Sequence, residues 1–469
     1  MLTRENARVA RQPCRERHSS RSGTPSSGYR PVVVWIKSQW QNVSRGFWFF
    51  PGLVALAGAA LAVVLVPIDR AARTEAFPLA FDGDASAART ILGTVAGSLI
   101  TVAGLAFSIT VVTLQLVSSQ FTPRAVRSFL ADRPSQLVAG TFLGIFAYCL
   151  LVLRTVRNEG LEDDGFVPAL AVTGSIVLGL VGLVLLLVFI HRITQVIKVE
   201  NIAARIASET ASTIDRLYPE QYGEGVARDA APASWDVSGE PAVVRPQRAG
   251  HVRAVALEDL ADADLPASAR VHVRVRPGDL VTCATVLIEV WPRTAVDQAT
   301  HDRLRGLVSV QSERDVAQDV GFGIRQLADV AVRALSPGVN DPTTAVTCIG
   351  YLRNALEDLG KRRLPDRLRR MGEDGLLVYA EAREFDELLR EAFAEIGRFG
   401  RADARVTVAV LDALAGVAVA ARRAGALDRA AAARELAEEI AGPAIEDART
   451  EHERRLLAGC VERVQAASG

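Results

Sequence analysis

Hydrophobic and polar residues follow two different rhythms along this chain. Between about residues 46 and 190 long stretches carry almost no charge, whereas beyond residue 242 apolar positions recur at intervals of two and then of three to four. The longest uncharged stretch covers residues 91–123, thirty-three residues without one charged side chain. A helix rises 1.5 Å per residue, so about 20 apolar residues cross a bilayer and this stretch does so with length to spare. The pattern predicts four spanning helices, at about 46–68, 91–117, 137–156 and 167–190.

The second span is also patterned by residue size. Gly97, Thr101, Gly104, Ser108, Val111, Gln115 and Ser118 fall at alternating steps of four and three, on one helix face. Such a stripe lets helices approach closely, and it can equally line a wet path. The third span holds a GxxxG pair, Gly140 and Gly144, and the fourth has Ser175, Gly179 and Gly182 on one side. No span has an ionisable residue near its centre, which argues against a proton relay. Past the fourth span Ile193, Ile197, Ala204, Ala207, Ala211, Ile214 and Leu217 keep a helical stripe. Together they predict one rod over residues 168–217, on the order of 75 Å long, packing on a neighbouring subunit or coupling the two halves of the chain.

Residues 219–241 are rich in Pro, Gly and Asp and read as a linker, so 193–241 forms a stalk and linker. Then Val271, Val273 and Val275 alternate with polar residues, followed by a turn at Arg276-Pro277-Gly278-Asp279 and a strand over 280–290. This predicts a small β module over 242–293. From residue 294 the period is helical: 315–335 is amphipathic, Ser336-Pro337-Gly338 stops it, and Asp341-Pro342 is helix-start chemistry. Segments 384–399, 404–423, 427–441 and 444–467 complete a helical domain over 294–469. The fold class is thus an α-helical polytopic membrane protein with an α+β region made of a β module and a helical bundle.

Composition adds the orientation. The formal charge of zero hides an arm over 1–45 that carries nine Lys/Arg against Glu5 and Glu16 and reads as disordered, leaving an excess of seven acids in the remainder. Arg124, Arg127 and Arg133 lie between spans two and three, and Arg192 and Lys198 follow span four; Glu159, Glu162, Asp163 and Asp164 follow span three. Basic loops stay inside, so both termini are expected in the cytoplasm, and the arm is expected to face anionic lipid rather than nucleic acid.

Catalytic constellations are scarce. The only lysines are Lys37, Lys198 and Lys361, and no GxxxxGK[ST], GxSxG or HExxH string occurs. Five widely spaced cysteines and six scattered histidines indicate neither a disulfide framework nor a zinc site. The expectation is no enzyme, no cofactor and no metal. The best candidate site is Asp319, Arg325, Gln326, Asp329, Arg333, Asn340 and Asp341, a ligand or gating pocket at a helix-turn-helix corner. Its bland alternative is intrahelical ion pairing of Arg325, Asp329 and Arg333 together with helix capping.

Two resemblances bear on these readings. The run VRVRPGDLVTCATVLIEV resembles half of a lipoyl/biotinyl-type barrel-sandwich hybrid through Pro277, Gly278, Asp279, Val281 and Leu287, although Ala284 replaces a glycine. That family carries its prosthetic group on a lysine, and none occurs between Lys198 and Lys361, so the resemblance implies a scaffold only. FSITVVTLQLVSSQFTPR (107–124) and SERDVAQDVGFGIRQLADVAVRALSPGVNDPTTAVTCIGYL (312–352) resemble the predicted-membrane-protein family catalogued as domain of unknown function 2254. The likeness implies a bacterial inner-membrane protein of four spans plus a soluble domain. The leading functional expectation is an oligomeric channel- or transporter-like protein regulated by that domain. The alternative is a non-transporting sensor or scaffold that binds a protein partner or small ligand there.

Overall fold

A computed structural model describes residues 49–72, 80–120, 133–157, 166–196, 198–219, 237, 239–312, 314, 316–371 and 375–469. The basic arm, the loop between spans two and three up to residue 132, the acidic loop and most of the linker lie outside the described residues. The chain forms two compact units, one ending at Ile202 and one running from Ala203 to Gly469.

The first unit holds four helices, α1 (Phe49–Ala72), α2 (Ala85–Gln120), α3 (Arg133–Leu153) and α4 (Ala169–Val196). Each is long and apolar enough to cross a membrane. All four coincide with the expected spans and overrun most of their ends. α3 is the inner helix, packed on the other three, with Phe142, Ile145, Tyr148, Cys149 and Val152 buried. The other helices turn Leu53, Leu56, Val63, Leu105, Phe107, Leu180, Leu183 and Leu187 outward. So much exposed apolar surface suits hydrocarbon rather than water.

The GxxxG pair sets the α1–α3 contact. A Cβ built on Gly140 would stand 2.7 Å from Pro51 Cα, and one on Gly144 would stand 3.0 Å from the Val54 carbonyl oxygen. Gly58 of α1 answers from the other side, where a Cβ would lie 2.7 Å from Gly144 Cα. Two backbones therefore touch where side chains would otherwise intervene. Asp69, buried near the end of α1, accepts a hydrogen bond from Ala171 N at 3.0 Å and so caps the first turn of α4.

The expected single rod is two helices. α4 ends at Val196 and α5 (Val199–Leu217) begins afresh, with Lys198 outside both and its carbonyl accepting from Asn201 N at 3.1 Å and Ile202 N at 3.3 Å. The all-round apolar pattern of α4 and the one-faced pattern of α5 belong to different surroundings, and a break lets each take its own phase.

In the second unit the strands are β1 (Ala242–Val244), β2 (Gly250–Val255), β3 (Arg270–Val273), β4 (Leu280–Val281), β5 (Ile288–Trp291), β6 (Val308–Gln311), β7 (Leu368–Met371) and β8 (Leu376–Ala380). They form a five-stranded sheet, β1-β5-β3-β8-β7, and a three-stranded one, β4-β2-β6, over a common core that includes Val244, Val252, Val271, Val281, Leu287, Val290 and Val378. Two expectations are corrected. β3 and the strand after the Pro-Gly-Asp turn, β4, lie in different sheets, and the expected strand over 280–290 keeps only its ends, so a barrel-sandwich is not confirmed. The boundary expected at 293 also falls inside the sheets, because β6, β7 and β8 come from beyond it. The reason is burial: the Val271 and Val273 side chains are enclosed, and β3 needs a paired strand on each side, β5 antiparallel and β8 parallel.

The helices are α6 (Gln298–Gly306), α7 (Val320–Ala334), α8 (Pro342–Gly360), α9 (Phe385–Gly400), α10 (Ala404–Arg423), α11 (Leu427–Glu446) and α12 (Glu451–Ser468). Five helices of the described residues, rather than four, meet the length and apolarity a membrane demands, and the fifth is α10. α10 packs on α8, α9, α11 and α12, burying Val406, Val410, Leu411, Leu414, Val417 and Ala421. Of the described cysteines, Cys149, Cys348 and Cys460 are buried free thiols.

Asp341 opens α8 as read from Asp-Pro: its carboxylate accepts from Thr344 N at 3.1 Å and from Thr344 Oγ1 at 2.6 Å. These bonds hold its pKa below the ordinary carboxylate value. Asp341→Ala is expected to cost about 1 kcal/mol in denaturant unfolding at neutral pH. Because the folded pKa is the lower one, that contribution is complete above the ordinary carboxylate range and fades as pH falls through the folded value, so wild type and variant converge in acid.

Candidate functional site

The seven residues expected to form one site do not come together. Asp319 caps the start of α7, its Oδ1 accepting from Phe322 N at 3.1 Å, whereas Asn340 and Asp341 lie past the end of the same fifteen-residue helix. A helix of that length is about 22 Å long. Between them, Arg325 donates to Asp329 at 2.7 Å and to both oxygens of Glu395 on α9 at 3.1 and 2.8 Å. That bidentate pair ties α7 to α9 and extends the intrahelical reading by one partner on a second helix. Gln326 is buried on the inner face of α7 and Arg333 is exposed. Asn340 takes a left-handed φ of 49° in the turn before α8, a conformation Asn tolerates better than most residues. The corner is a turn and a cap.

Asp319 alone belongs to a cavity. About 510 Å³ opens beside the start of α7, reached by Tyr218 after α5, by Arg276 and Pro277 after β3, by Arg369 of β7 and by Arg383 before α9. The GFG string explains how this place is built. A Cβ on Gly321 would lie 2.6 Å from Arg383 Nη1, so the missing side chain lets that guanidinium lie against the first turn of α7. A Cβ on Gly323 would stand 3.0 Å from Thr210 Cβ, so α5 also presses onto α7. Gly278, at φ 96°, supplies the turn read from Pro-Gly-Asp, and a Cβ there would meet the Asp319 carboxylate and lie 2.8 Å from Arg314 Nη2.

The charges are unevenly matched. Asp319, 4% exposed, receives Arg314 Nη2 at 2.6 Å and faces Arg383 Nε at 3.7 Å. The latter is an ion pair too long for a hydrogen bond, and Arg383 Nε is buried without a hydrogen-bond partner. Arg383 also binds Glu391 at 2.5 Å, and Arg276 binds Glu387 at 2.8 Å. Arg369 differs: its Nε donates to the Asp366 carbonyl at 2.7 Å, and no carboxylate lies within salt-bridge reach among the described residues. Burial pulls its pKa below the usual arginine value, and burial likewise raises that of the Tyr218 hydroxyl, with the nearby Asp319 charge adding to the rise. Arg276, Arg369, Arg383 and Tyr218 escaped the sequence reading because four separate segments bring them together, and none carries a local motif. Of the residues read from the sequence as a candidate site, only Asp319 lies at this cavity. Among the described residues no group of three or more His, Cys, Asp or Glu could hold a metal ion.

In the first unit, Gly97, Thr101, Gly104, Ser108 and Gln115 share one face of α2, all of them exposed; Ser118 lies further along the same helix. Nothing approaches within 4 Å of where a Cβ on Gly97 or Gly104 would be, while Leu92, Ala96, Leu99 and Ala106 pack inward. The stripe does not hold the four helices together. Thr101 donates its hydroxyl to the Gly97 carbonyl at 2.8 Å, which satisfies it within the helix.

Several helices apolar enough to cross a membrane, together with a separate α/β region, are consistent with a multi-pass membrane protein. The chain belongs to the family described as predicted membrane protein DUF2254, whose model matches residues 44–416. It is similar to uncharacterized proteins of Mycobacterium bovis and Mycobacterium tuberculosis, each 33% identical over 375 residues, which cover 79% of this chain and 71% of the relative. No solved structure matches.

Proposed function

We propose that this is a homo-oligomeric, channel- or transporter-like protein of the bacterial inner membrane, regulated by its soluble unit in the cytoplasm. α1 to α4 span, both termini lie inside, and the α2 stripes of neighbouring subunits line or border the path. The observation that carries the reading is the outward direction of Gly97, Thr101, Gly104, Ser108 and Gln115: a polar, small-residue face turned away from its own bundle needs a neighbour or water. α10 stays out of the membrane in this reading, because protein already covers its apolar face. Loop charges support the orientation. The reading assigns no catalytic role.

Planar-bilayer recording of the reconstituted protein tests it. Unitary currents, reduced by Thr101→Leu with Ser108→Leu, are expected; bilayers silent across solutes and voltages would overturn it. One observation favours a non-transporting sensor instead, since the Thr101 hydroxyl is already satisfied inside its helix. A silent bilayer with a stoichiometric partner crosslinked to the soluble unit would select that reading.

A further inference from the structure

We infer that the cavity at the start of α7 is a binding site for a small organic phosphate, whose phosphoryl group seats between Arg369, Arg383 and Tyr218. This deepens the regulatory half of the reading above but does not depend on whether the spans conduct.

The argument begins with a cost. A guanidinium removed from water without a counter-charge is strongly unfavourable. Arg369 is half-buried beside the cavity: its Nε is committed to the Asp366 carbonyl, and no carboxylate lies within salt-bridge reach among the described residues. Beside it, Arg383 is placed against the first turn of α7 by the absence of a side chain at Gly321. Helix N-termini carry partial positive charge, so a cation there is in the less favourable position. Asp319 offsets part of this, yet its shortest bond goes to Arg314, and Arg383 Nε stays unmatched. The Tyr218 hydroxyl has no hydrogen-bond partner among the described residues and sits within the influence of Asp319, Arg383 and Arg369. Asp319 caps the helix start and Glu391 takes Arg383 Nη1, yet Arg383 Nε, the Arg369 guanidinium and the Tyr218 hydroxyl line one cavity with donor capacity left over. A phosphate oxyanion supplies several acceptors at once and suits arginine's bidentate geometry.

The size argues for an organic body. About 510 Å³ is within the range of small-molecule pockets and far more than one phosphate ion fills. The walls away from the arginines include Val255, Leu257, Val273, Val275 and Met371, and the exposed Glu258 and Asp259 and the half-buried Glu381 also line the cavity. Apolar walls suit a flat or aliphatic moiety, and these carboxylates suit a hydrogen-bond donor on it.

The test is thermal unfolding of the purified full chain in detergent, titrated with inorganic phosphate against potassium chloride of equal ionic strength. Phosphate is expected to raise the wild-type melting temperature saturably, following ligand linkage. Arg369→Gln is expected to bind phosphate at least about tenfold more weakly. It should also melt at or above wild type in chloride, since it removes an unmatched charge. Tyr218→Phe checks the same site with a smaller change: melting in chloride unaltered, affinity reduced a few-fold. General stabilisation by an excluded salt would act equally on all three proteins. No saturable shift in wild type, or an equal shift in Arg369→Gln, overturns the inference. Silent bilayers with an intact phosphate shift would refute conduction and leave this site standing.

Discussion

Arg429→Leu is expected to lower the unfolding free energy of the second unit by about 3 kcal/mol or more, measured by denaturant titration of the full chain in detergent. Arg429 is only 6% exposed, and its Nη1 donates to the carbonyls of Leu359 and Gly360 at 3.1 Å and of Arg362 at 2.7 Å. Leu359 and Gly360 carry the last carbonyls of α8, which lack an i+4 partner in their own helix, and Arg362 lies two residues beyond. A cation there is on the favourable side of the helix dipole, and its plane lies over Phe385 at 5.2 Å. Leucine keeps much of the volume but removes the charged donor from all three carbonyls; Leu359 O keeps Arg362 N at 3.1 Å, and the Gly360 and Arg362 carbonyls lose this bond. Arg405→Ala is the control: its pair with Asp403 is on the surface, and a change within about 0.5 kcal/mol is expected. Equal effects for the two variants would show that the buried donor is not what closes α8.

The second large effect is expected at Gly58. Leucine there forces side-chain atoms into the Gly144 backbone, and backbone cannot turn aside as a side chain can. Overpacking costs typically about 1–3 kcal/mol, and this position belongs at the upper end. The readout is thermal melting in detergent, with a cysteine pair across α1 and α3 reporting their separation. Gly97→Leu is the matched contrast, since nothing lies within 4 Å of that position in the first unit. The fold should tolerate it. If α2 meets a second copy along its stripe, the same change should instead reduce oligomer size in crosslinking.

Sequence periodicity revealed whatever depended on neighbouring residues. The four apolar helices of the first unit, the Pro-Gly-Asp turn, the Asp-Pro helix start and the close approach implied by Gly140 and Gly144 were all readable, because each is a property of one short segment. Length misled once: nothing in the apolar stretch and the stripe beyond it announced that Lys198 would fall between two helices. Apolarity alone also could not place α10, since a buried bundle helix and a spanning helix both present hydrophobic surface. The cavity was hidden for another reason. Asp319 and Gly321 were within the conspicuous string, but their partners Arg276, Arg369 and Arg383 arrive from strands and loops whose pairing follows from sheet topology. Grouping Asp319 with Asn340 and Asp341 failed because nearness in sequence was separated by the full length of a helix.

The parallel pairing of β3 with β8 sets an order of events during synthesis. Val271 pairs with Val378, so roughly 100 further residues must leave the ribosome before the sheet can close. Until then β3 offers a row of unanswered amides and carbonyls beside exposed valines, an invitation to strands of other chains. A chain cut short between α8 and β8 keeps that invitation open permanently. Expression of the second unit should therefore fail by aggregation for fragments ending before residue 376, and recover only when the last strand is included.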